Sequence, residues 1–415
     1  NMSNVRDFDL VLFGATGYTA DLILSYIQDE YSSKARPSLA IAGRSRNKLT
    51  RVQQKYKGIV EEIIVADVLD AESMTMMASK CSCLINTVGP FVLYGEATVK
   101  ACIESGTDYV DINGETGFIH EMQVKYDQLA REKGVIVCMA AGFDSVASDL
   151  MFYFTMNELM KMYTNLNDKR LTLETVVHMG QKRNFWKPPF SLVDGVSNGT
   201  FRTALHGWKT GEGINILKSP LGYQSVVTNK LLHPKTTWMR EINHGKGLAA
   251  FPCEIFSDAF VAKTSFVHTI LNSDLESIKP ASFEYGQYFG TSSLILAYLL
   301  VGFLNLGPFL VKIPGVHYLL MKLMEAGDGP SEESRKNLKT NLHSLLKVHN
   351  KSVHERKKVE TTVVTEMELM SDNYSFTAAS VFESARLLVS LRKQGRQVSS
   401  GGILSPVAAI GGENL

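Results

Sequence analysis

A chain of 415 residues is longer than one hydrophobic core ordinarily fills, so two domains are expected. Its 45% hydrophobic and 20% charged residues are the composition of a soluble globular protein, and the formal net charge is +1. That balance argues against nucleic acid as the main partner, because phosphate binding needs a clustered basic face.

The apolar run Phe8–Phe13 predicts a first strand, followed by an amphipathic stretch to about Asp29. The polar N-terminus leads straight into that strand, which predicts no secretory leader. Strands are also predicted over Ser38–Gly43, Glu62–Ala66, Leu84–Val88, Tyr109–Ile112 and Val135–Ala140, with helical stretches such as Asn47–Lys57 between them. Strands separated by helices of this length imply right-handed crossovers and a parallel, doubly wound sheet. Beyond Asp149 the texture changes to strands at Leu171–His178 and Val359–Leu369, aromatic and Pro-containing loops, and a Lys-rich stretch over Asn337–Lys358. Thr377–Gln394 reads as an amphipathic helix, with Phe382, Ala385, Leu388, Val389 and Leu391 on or near one face.

The expected architecture is α/β. A Rossmann domain with a doubly wound parallel sheet occupies 1–148, and a mixed α/β (α+β) domain for substrate and dimer contacts occupies 149–376. A C-terminal helix and tail, 377–415, return to the first domain, since the helix needs an apolar surface to cover its stripe. The five cysteines, Cys81, Cys83, Cys102, Cys138 and Cys253, are odd in number and mostly set in apolar strands. They predict reduced core residues of an intracellular, cytoplasmic protein, and no metal site is expected.

The stretch LFGATGYTA, residues 12–20, ends a strand and opens a helix with the spacing G-x-x-G-x-x-A. Gly14 permits the tight turn, Gly17 lets the backbone approach a pyrophosphate, and the free N–H groups of the helix face the phosphates. The dinucleotide stretch is therefore Gly14, Ala15, Thr16, Gly17, Tyr18 and Thr19. At the end of the second strand, where an NAD site places an acid, stand Arg44 and Ser45, with Lys48 after them. A guanidinium fork matches a 2′-phosphate and no carboxylate is present to repel it, so NADP(H) is the expected cofactor. Asp67 ends the third strand and reads either as an adenine-edge contact or as a cap for the helix Ala71–Ser79.

The fourth strand runs into Val88, Gly89 and Pro90, beside the place of the nicotinamide, and Tyr94 follows. Phe143 and Asp144 lie in the turn after the sixth strand, at the same edge. Tyr94 and Asp144 are the candidate general acids. Packing of Tyr94 on the ribose and capping of a helix near Ser145 by Asp144 are the equal alternatives.

On these residues the chain resembles the saccharopine dehydrogenase-like oxidoreductases, a family that includes trans-acting enoyl reductases. The matching stretches are GATGYTA, AGRSRNKL (42–49), NTVGPFVLYGEATVKACIESGTDYVDINGE (86–115) and AAGFDSVASDL (140–150). The resemblance is clearest over the first 150 residues and weak across 205–375. It implies the fold and cofactor binding, while the substrate does not carry over. Ala147 stands where the family often has Pro, and RNFWKPP (183–189) looks particular to this chain.

Rival readings separate on particular residues. The Tyr-x-x-x-Lys of a short-chain dehydrogenase occurs only as Tyr318–Lys322, far from the Rossmann portion. Saccharopine chemistry would call on Lys182, Arg183, Arg202 and Arg240 to hold carboxylates, but the apolar character of 285–325 suits a hydrophobic acyl, polyketide or terpenoid-like substrate better. The expected reaction is NADPH-dependent reduction of a C=C or C=N bond in a small-molecule or carrier-bound substrate. A non-catalytic NADPH-binding scaffold on lipid droplets or membranes is the third class. Residues 285–311 carry no charge and read as a buried helix pair, a monotopic hairpin or, ranked last, a true span. Peripheral lipid contact and a homodimer are the assemblies these readings bring with them.

Overall fold

The chain is described from a computed structural model, covering residues 6–31, 36–181, 197–210, 240–242, 248–252, 280–291, 306–322, 328–336, 338–350, 359–395 and 401–411. It opens with β1 (Phe8–Phe13), α1 (Tyr18–Glu30), β2 (Leu39–Gly43), α2 (Arg46–Lys55), β3 (Glu62–Val65) and α3 (Ala71–Ser79). β4 (Cys81–Asn86), α4 (Phe91–Ser105), β5 (Asp108–Asp111), α5 (Thr116–Glu132), β6 (Ile136–Cys138) and α6 (Phe143–Met162) follow. Next come β7 (Lys169–Gln181), α7 (Asn198–Thr210), β8 (Arg240–Ile242), β9 (Leu248–Pro252), β10 (Ser282–Thr291), α8 (Val316–Met321) and α9 (Glu332–Lys336). The last elements are β11 (Leu338–Asn350), β12 (Val359–Glu368), α10 (Asn373–Lys393), β13 (Gly402–Leu404) and α11 (Pro406–Ile410).

The fold is α/β. Strands in the order β13-β6-β5-β4-β1-β2-β3 form a seven-stranded parallel sheet. Its strands are mostly apolar because both faces are covered, and the buried carboxylates of β5, Asp108 and Asp111, are hydrogen-bonded. Leu10 and Leu12 of β1 point into a core with Ile23 of α1 and Phe382 and Leu388 of α10. Val11 and Phe13 point the other way, among Met74 of α3, Val99 of α4 and Met122 of α5. The four described cysteines, Cys81, Cys83, Cys102 and Cys138, are free and buried in this sheet and its helices. Burial pushes their thiols up.

The second sheet is mixed, in the order β12-β11-β7-β10-β9-β8. β7 and β10 run parallel, whereas β11 is antiparallel to both β7 and β12. Phe152, Met156 and Leu159 of α6 cover one face, against Leu171, Leu173, Phe283, Tyr285 and Leu346. The Phe152 and Phe283 rings meet edge to face with centroids 5.8 Å apart.

Several elements differ from their sequence expectation. A boundary at 148 falls inside α6, one continuous helix shared by both sheets. The amphipathic helix begins at Asn373 rather than Thr377, because Asp372 caps it by accepting the N–H groups of Tyr374 and Ser375. β13 pairs with β6, Ile403 beside Val137. Arg392 of α10 grips Asp108 of β5 through two hydrogen bonds of 2.7 Å. The Lys-rich stretch is mostly β11, where Thr340, Leu342, Ser344, Leu346 and Val348 alternate inward. The uncharged segment is not helical at its start: Tyr285–Thr291 belongs to β10, with Tyr285 fully buried opposite Leu173. Among the described residues no helix is long and apolar enough to cross a membrane. Cys253, Lys182, Arg183 and the loop 183–189 lie outside the described residues.

Candidate functional site

β1 ends at Phe13, and Gly14 turns the chain with φ +86. A Cβ at Gly14 would stand 2.6 Å from the Thr87 hydroxyl and 2.9 Å from the Val88 side chain, so a larger residue would fill the cradle. The Gly17 N–H donates to the Gly14 carbonyl at 2.9 Å. Gly17 is the N-cap of α1 and supplies no side-chain cap, so the first N–H groups of the helix are left for an anion. Ala15 is buried beneath the turn, and Thr16 is exposed on it. The arrangement fits a pyrophosphate.

At the end of β2, Arg44, Ser45, Arg46 and Lys48 are exposed together, with no acid among them. Ser45 is also the N-cap of α2, accepting the Lys48 N–H at 3.5 Å. Arg46, in the same basic turn, was not singled out from the sequence. Replacing Arg44 by Ala is expected to lower the preference for NADPH over NADH by about tenfold to a hundredfold, the worth of a charge-assisted contact of roughly 1.5–3 kcal/mol. Equal titration midpoints for both cofactors in the unmodified chain would overturn that assignment. Asp67 is not the cap of α3. That role belongs to Asp70, which accepts from Glu72 and Ser73, while Asp67 accepts the Leu69 N–H at 3.1 Å.

Val88, Gly89 and Pro90 lead into α4, at the carboxyl ends of the strands. Glu115 pins this entry: its two carboxylate oxygens accept the N–H groups of Phe91 and Val92, each at 2.7 Å. A carboxylate there satisfies orphan donors and faces the positive end of the helix. Behind it lies a buried polar chain. Asn86 donates to the Tyr109 hydroxyl at 3.1 Å, and Tyr109 donates to Asp111 at 2.8 Å. Asp111 also accepts from the Asn113 amide and from the Ala140 N–H at 2.8 Å. Burial pushes the Asp111 carboxyl up to about 6, against the pull of these hydrogen bonds. Ala140 adopts φ +60, a left-handed conformation costly for a residue with a Cβ, at the same edge of the sheet.

Tyr94 lies in the first turns of α4, 39% exposed. Asp144 sits inside α6, whose N-cap is Gly142, so it is not the cap of a helix starting near Ser145. Its side chain lies outside the described residues. The Phe143 N–H donates to the Thr377 hydroxyl at 3.0 Å, and its ring meets Phe376 edge to face.

The structure adds groups from segments beyond the parallel sheet that the sequence reading missed. Tyr18 donates to the Pro330 carbonyl at 2.6 Å, and burial pushes its phenol up to about 12. Gly329 packs against the Tyr18 ring, where a Cβ would approach to 2.5 Å. Arg335 holds Asp372 and Ser375, at 3.2 and 2.9 Å. Tyr374 stacks edge to face on Tyr18 and accepts the Ser197 N–H at 2.6 Å. Thr203 of α7 donates to Glu115 at 3.1 Å. Glu115, Asp111 and Asn113 lie in the matching stretch 86–115, but no local spacing marks their roles. Arg202 is on α7 beside Thr203, and Arg240 is in β8. Tyr318 and Lys322 are both exposed, the ammonium 4.4 Å from the ring centre, a surface cation–π pair. Among the described residues no group of His, Cys, Asp and Glu is arranged to hold a metal ion.

Residues 10–138 match the family model of the saccharopine dehydrogenase NADP binding domain. The chain is 35% identical over 224 residues to a human saccharopine dehydrogenase-like oxidoreductase, covering 51% of this chain and 48% of that protein. It is 42% identical over 149 residues to a lipid droplet localized protein of Caenorhabditis elegans, covering 34% of this chain and 35% of the relative. It is 35% identical over 147 residues to a trans-acting enoyl reductase of Mycobacterium ulcerans, covering 35% of this chain and 34% of the relative. The chain thus spans about half the length, or less, of the curated relatives it matches. In structure it aligns with apo saccharopine dehydrogenase (L-Glu forming) from Saccharomyces cerevisiae, with a TM-score of 0.54 at 14% identity over 98% of this chain and 96% of the other. At that identity the likeness speaks for the fold alone. With the glycine turn and the basic end of β2, these matches establish that the chain carries the NADP(H)-binding domain of the saccharopine dehydrogenase family and is akin to the saccharopine dehydrogenase-like oxidoreductases.

Proposed function

We propose that this protein is an NADPH-dependent oxidoreductase that reduces a C=C or C=N bond in a hydrophobic acyl, polyketide or terpenoid-like substrate, free or carrier-bound. The observation that carries the reading is the meeting of the cofactor domain with segments beyond it: Tyr18 of the dinucleotide turn with Pro330, and Glu115 with Thr203. Such contacts place α7 and the 328–335 strap beside the edge where ligands of doubly wound sheets bind.

NADPH, when bound, supplies the hydride. Gly14 and the opening of α1 would seat its pyrophosphate, and Arg44 with Lys48 would receive the 2′-phosphate. Glu115 holds the start of α4 in place through the N–H groups of Phe91 and Val92, at the edge where the nicotinamide would lie. For a C=C bond, hydride adds at one carbon and a proton at its neighbour. Tyr94 and Asp144 are the proposed donors of that proton. The enoyl reading is supported by the relative of that name and by the apolar 285–325 stretch.

The test is stereospecifically deuterated NADPH incubated with enoyl, imine and ketone panels and read by mass spectrometry. Deuterium in an enoyl or imine product is the expected result, with turnover falling in Tyr94→Phe or Asp144→Asn according to which residue is the acid. Transfer to an α-keto acid and amine pair instead would establish the saccharopine-type alternative. Tight NADPH binding without transfer to any compound would leave a cofactor-binding scaffold. A location at lipid droplets or membranes is part of the proposal, supported by the relative named for lipid droplets and by the exposed apolar side chains near residue 310.

A further inference from the structure

Residues 306–322 carry a bunched apolar surface. Phe309 is 72% exposed, Leu319 64%, Leu306 60%, and Leu310 and Ile313 about half, on a helical run over 306–312 and the neighbouring α8. Pro314 and Gly315 break the run between them, Gly315 at φ +84, so the element is bent, and among the described residues no helix is long and apolar enough to cross a bilayer. It is seated firmly: a Cβ on Gly307 would lie 2.7 Å from the Trp208 ring of α7, and Val311 is buried beneath. Solitary exposed apolar residues are ordinary on a protein surface, but a contiguous group marks an interaction site.

The rim of this patch is cationic. Lys312 and Lys322 are exposed on the element itself, and Lys209 is exposed on α7. Lys209 and His206 lie near enough to His317 to hold its imidazole below the usual range, after partial burial as the leading cause. No Asp or Glu occurs from residue 285 to 324, and among the described residues none of the three lysines forms an ion pair. A second copy of the chain is a poor occupant, since a two-fold contact through this patch would set lysines against lysines.

We propose that this element lies flat on an anionic phospholipid surface, with Phe309, Leu310 and Leu319 entering the acyl boundary and Lys209, Lys312 and Lys322 meeting the headgroup phosphates. The proposal rests on the lipid-associated reading above and assigns its site and headgroup chemistry. Tyr318, under the Lys322 ammonium, then lies at headgroup level, where amphipathic rings settle. Apolar insertion and attraction to anionic lipid add in such interfacial elements.

The test is co-flotation of the full chain with phosphatidylcholine vesicles and with equimolar phosphatidylcholine–phosphatidylserine vesicles. The unmodified chain is expected to bind the phosphatidylserine vesicles about tenfold or more tightly than the neutral ones, as attraction of several lysines implies. Phe309→Asp with Leu310→Asp should weaken binding to both vesicle types by about tenfold or more, through loss of apolar insertion. Lys312→Glu with Lys322→Glu should remove only the preference for phosphatidylserine. Unchanged NADPH titration in each variant shows the fold intact, and Phe309→Ser with Leu319→Ser is the milder pair should the aspartates disturb it. Variants that float like the unmodified chain would overturn this docking site while leaving lipid association standing. A chain that floats with neither vesicle would overturn lipid association itself.

Discussion

Gly14→Val should weaken NADPH binding by about tenfold or more and cost the cofactor-free protein part of its stability. The physical reason is double. Gly14 has φ +86, a conformation that costs a residue with a Cβ about 1–2 kcal/mol. Its missing side chain also leaves the space taken by Thr87 and Val88, and overfilling a packed site costs roughly 1–3 kcal/mol. Thr87 has little freedom to withdraw, since its hydroxyl is bonded to the Phe13 carbonyl at 2.9 Å. The turn must therefore shift, and with it the N–H groups that face the pyrophosphate. Gly58→Ala is the control, because Gly58 has φ +94 with nothing within 4 Å of an added Cβ. It should show the backbone penalty alone, without loss of cofactor. Fluorescence titration with NADPH decides the matter: undiminished affinity in Gly14→Val would remove the pyrophosphate from this turn.

Phe382→Ala should destabilise the protein by about 3–5 kcal/mol, the usual cost of emptying a buried phenyl site. Phe382 is fully buried, edge to face with Tyr26 at 6.0 Å and Tyr31 at 5.3 Å. Both tyrosines also reach Glu383, so the contact ties α1 and its C-cap residue to α10 on one face of the cofactor sheet. Phe309→Ala, at a side chain 72% exposed, should change stability by no more than about 0.5 kcal/mol. Denaturant unfolding of the two variants side by side gives the comparison. Equal, small losses would mean that α10 is not packed against α1 as described.

The parallel sheet and its cofactor turn were legible because their signals are local. Strand–helix alternation repeats from Phe8 to Met162, and Gly14 and Gly17 stand where a strand meets a helix. The basic end of β2 was likewise readable, since Arg44, Ser45 and Lys48 are near neighbours in the chain. The stripe of α10 announced itself through the 3.6-residue period, although its start was displaced by the capping carboxylate of Asp372. Tyr285–Thr291 misled because a buried strand and a buried helix show the same unbroken apolarity, and only its neighbours β7 and β9 decide between them.

What the sequence by itself determined was the doubly wound sheet, the turn for a dinucleotide and the basic chemistry suited to a 2′-phosphate. Period and spacing between close neighbours carry that much. Only the tertiary structure decided that Glu115 caps α4 from 24 residues away, that Thr203 reaches the same carboxylate, and that the Pro330 carbonyl receives Tyr18 across 312 positions. Those contacts satisfy polar groups between segments distant in the chain. Nothing in local propensity specifies such a partner: it is set by which elements the packed core brings side by side.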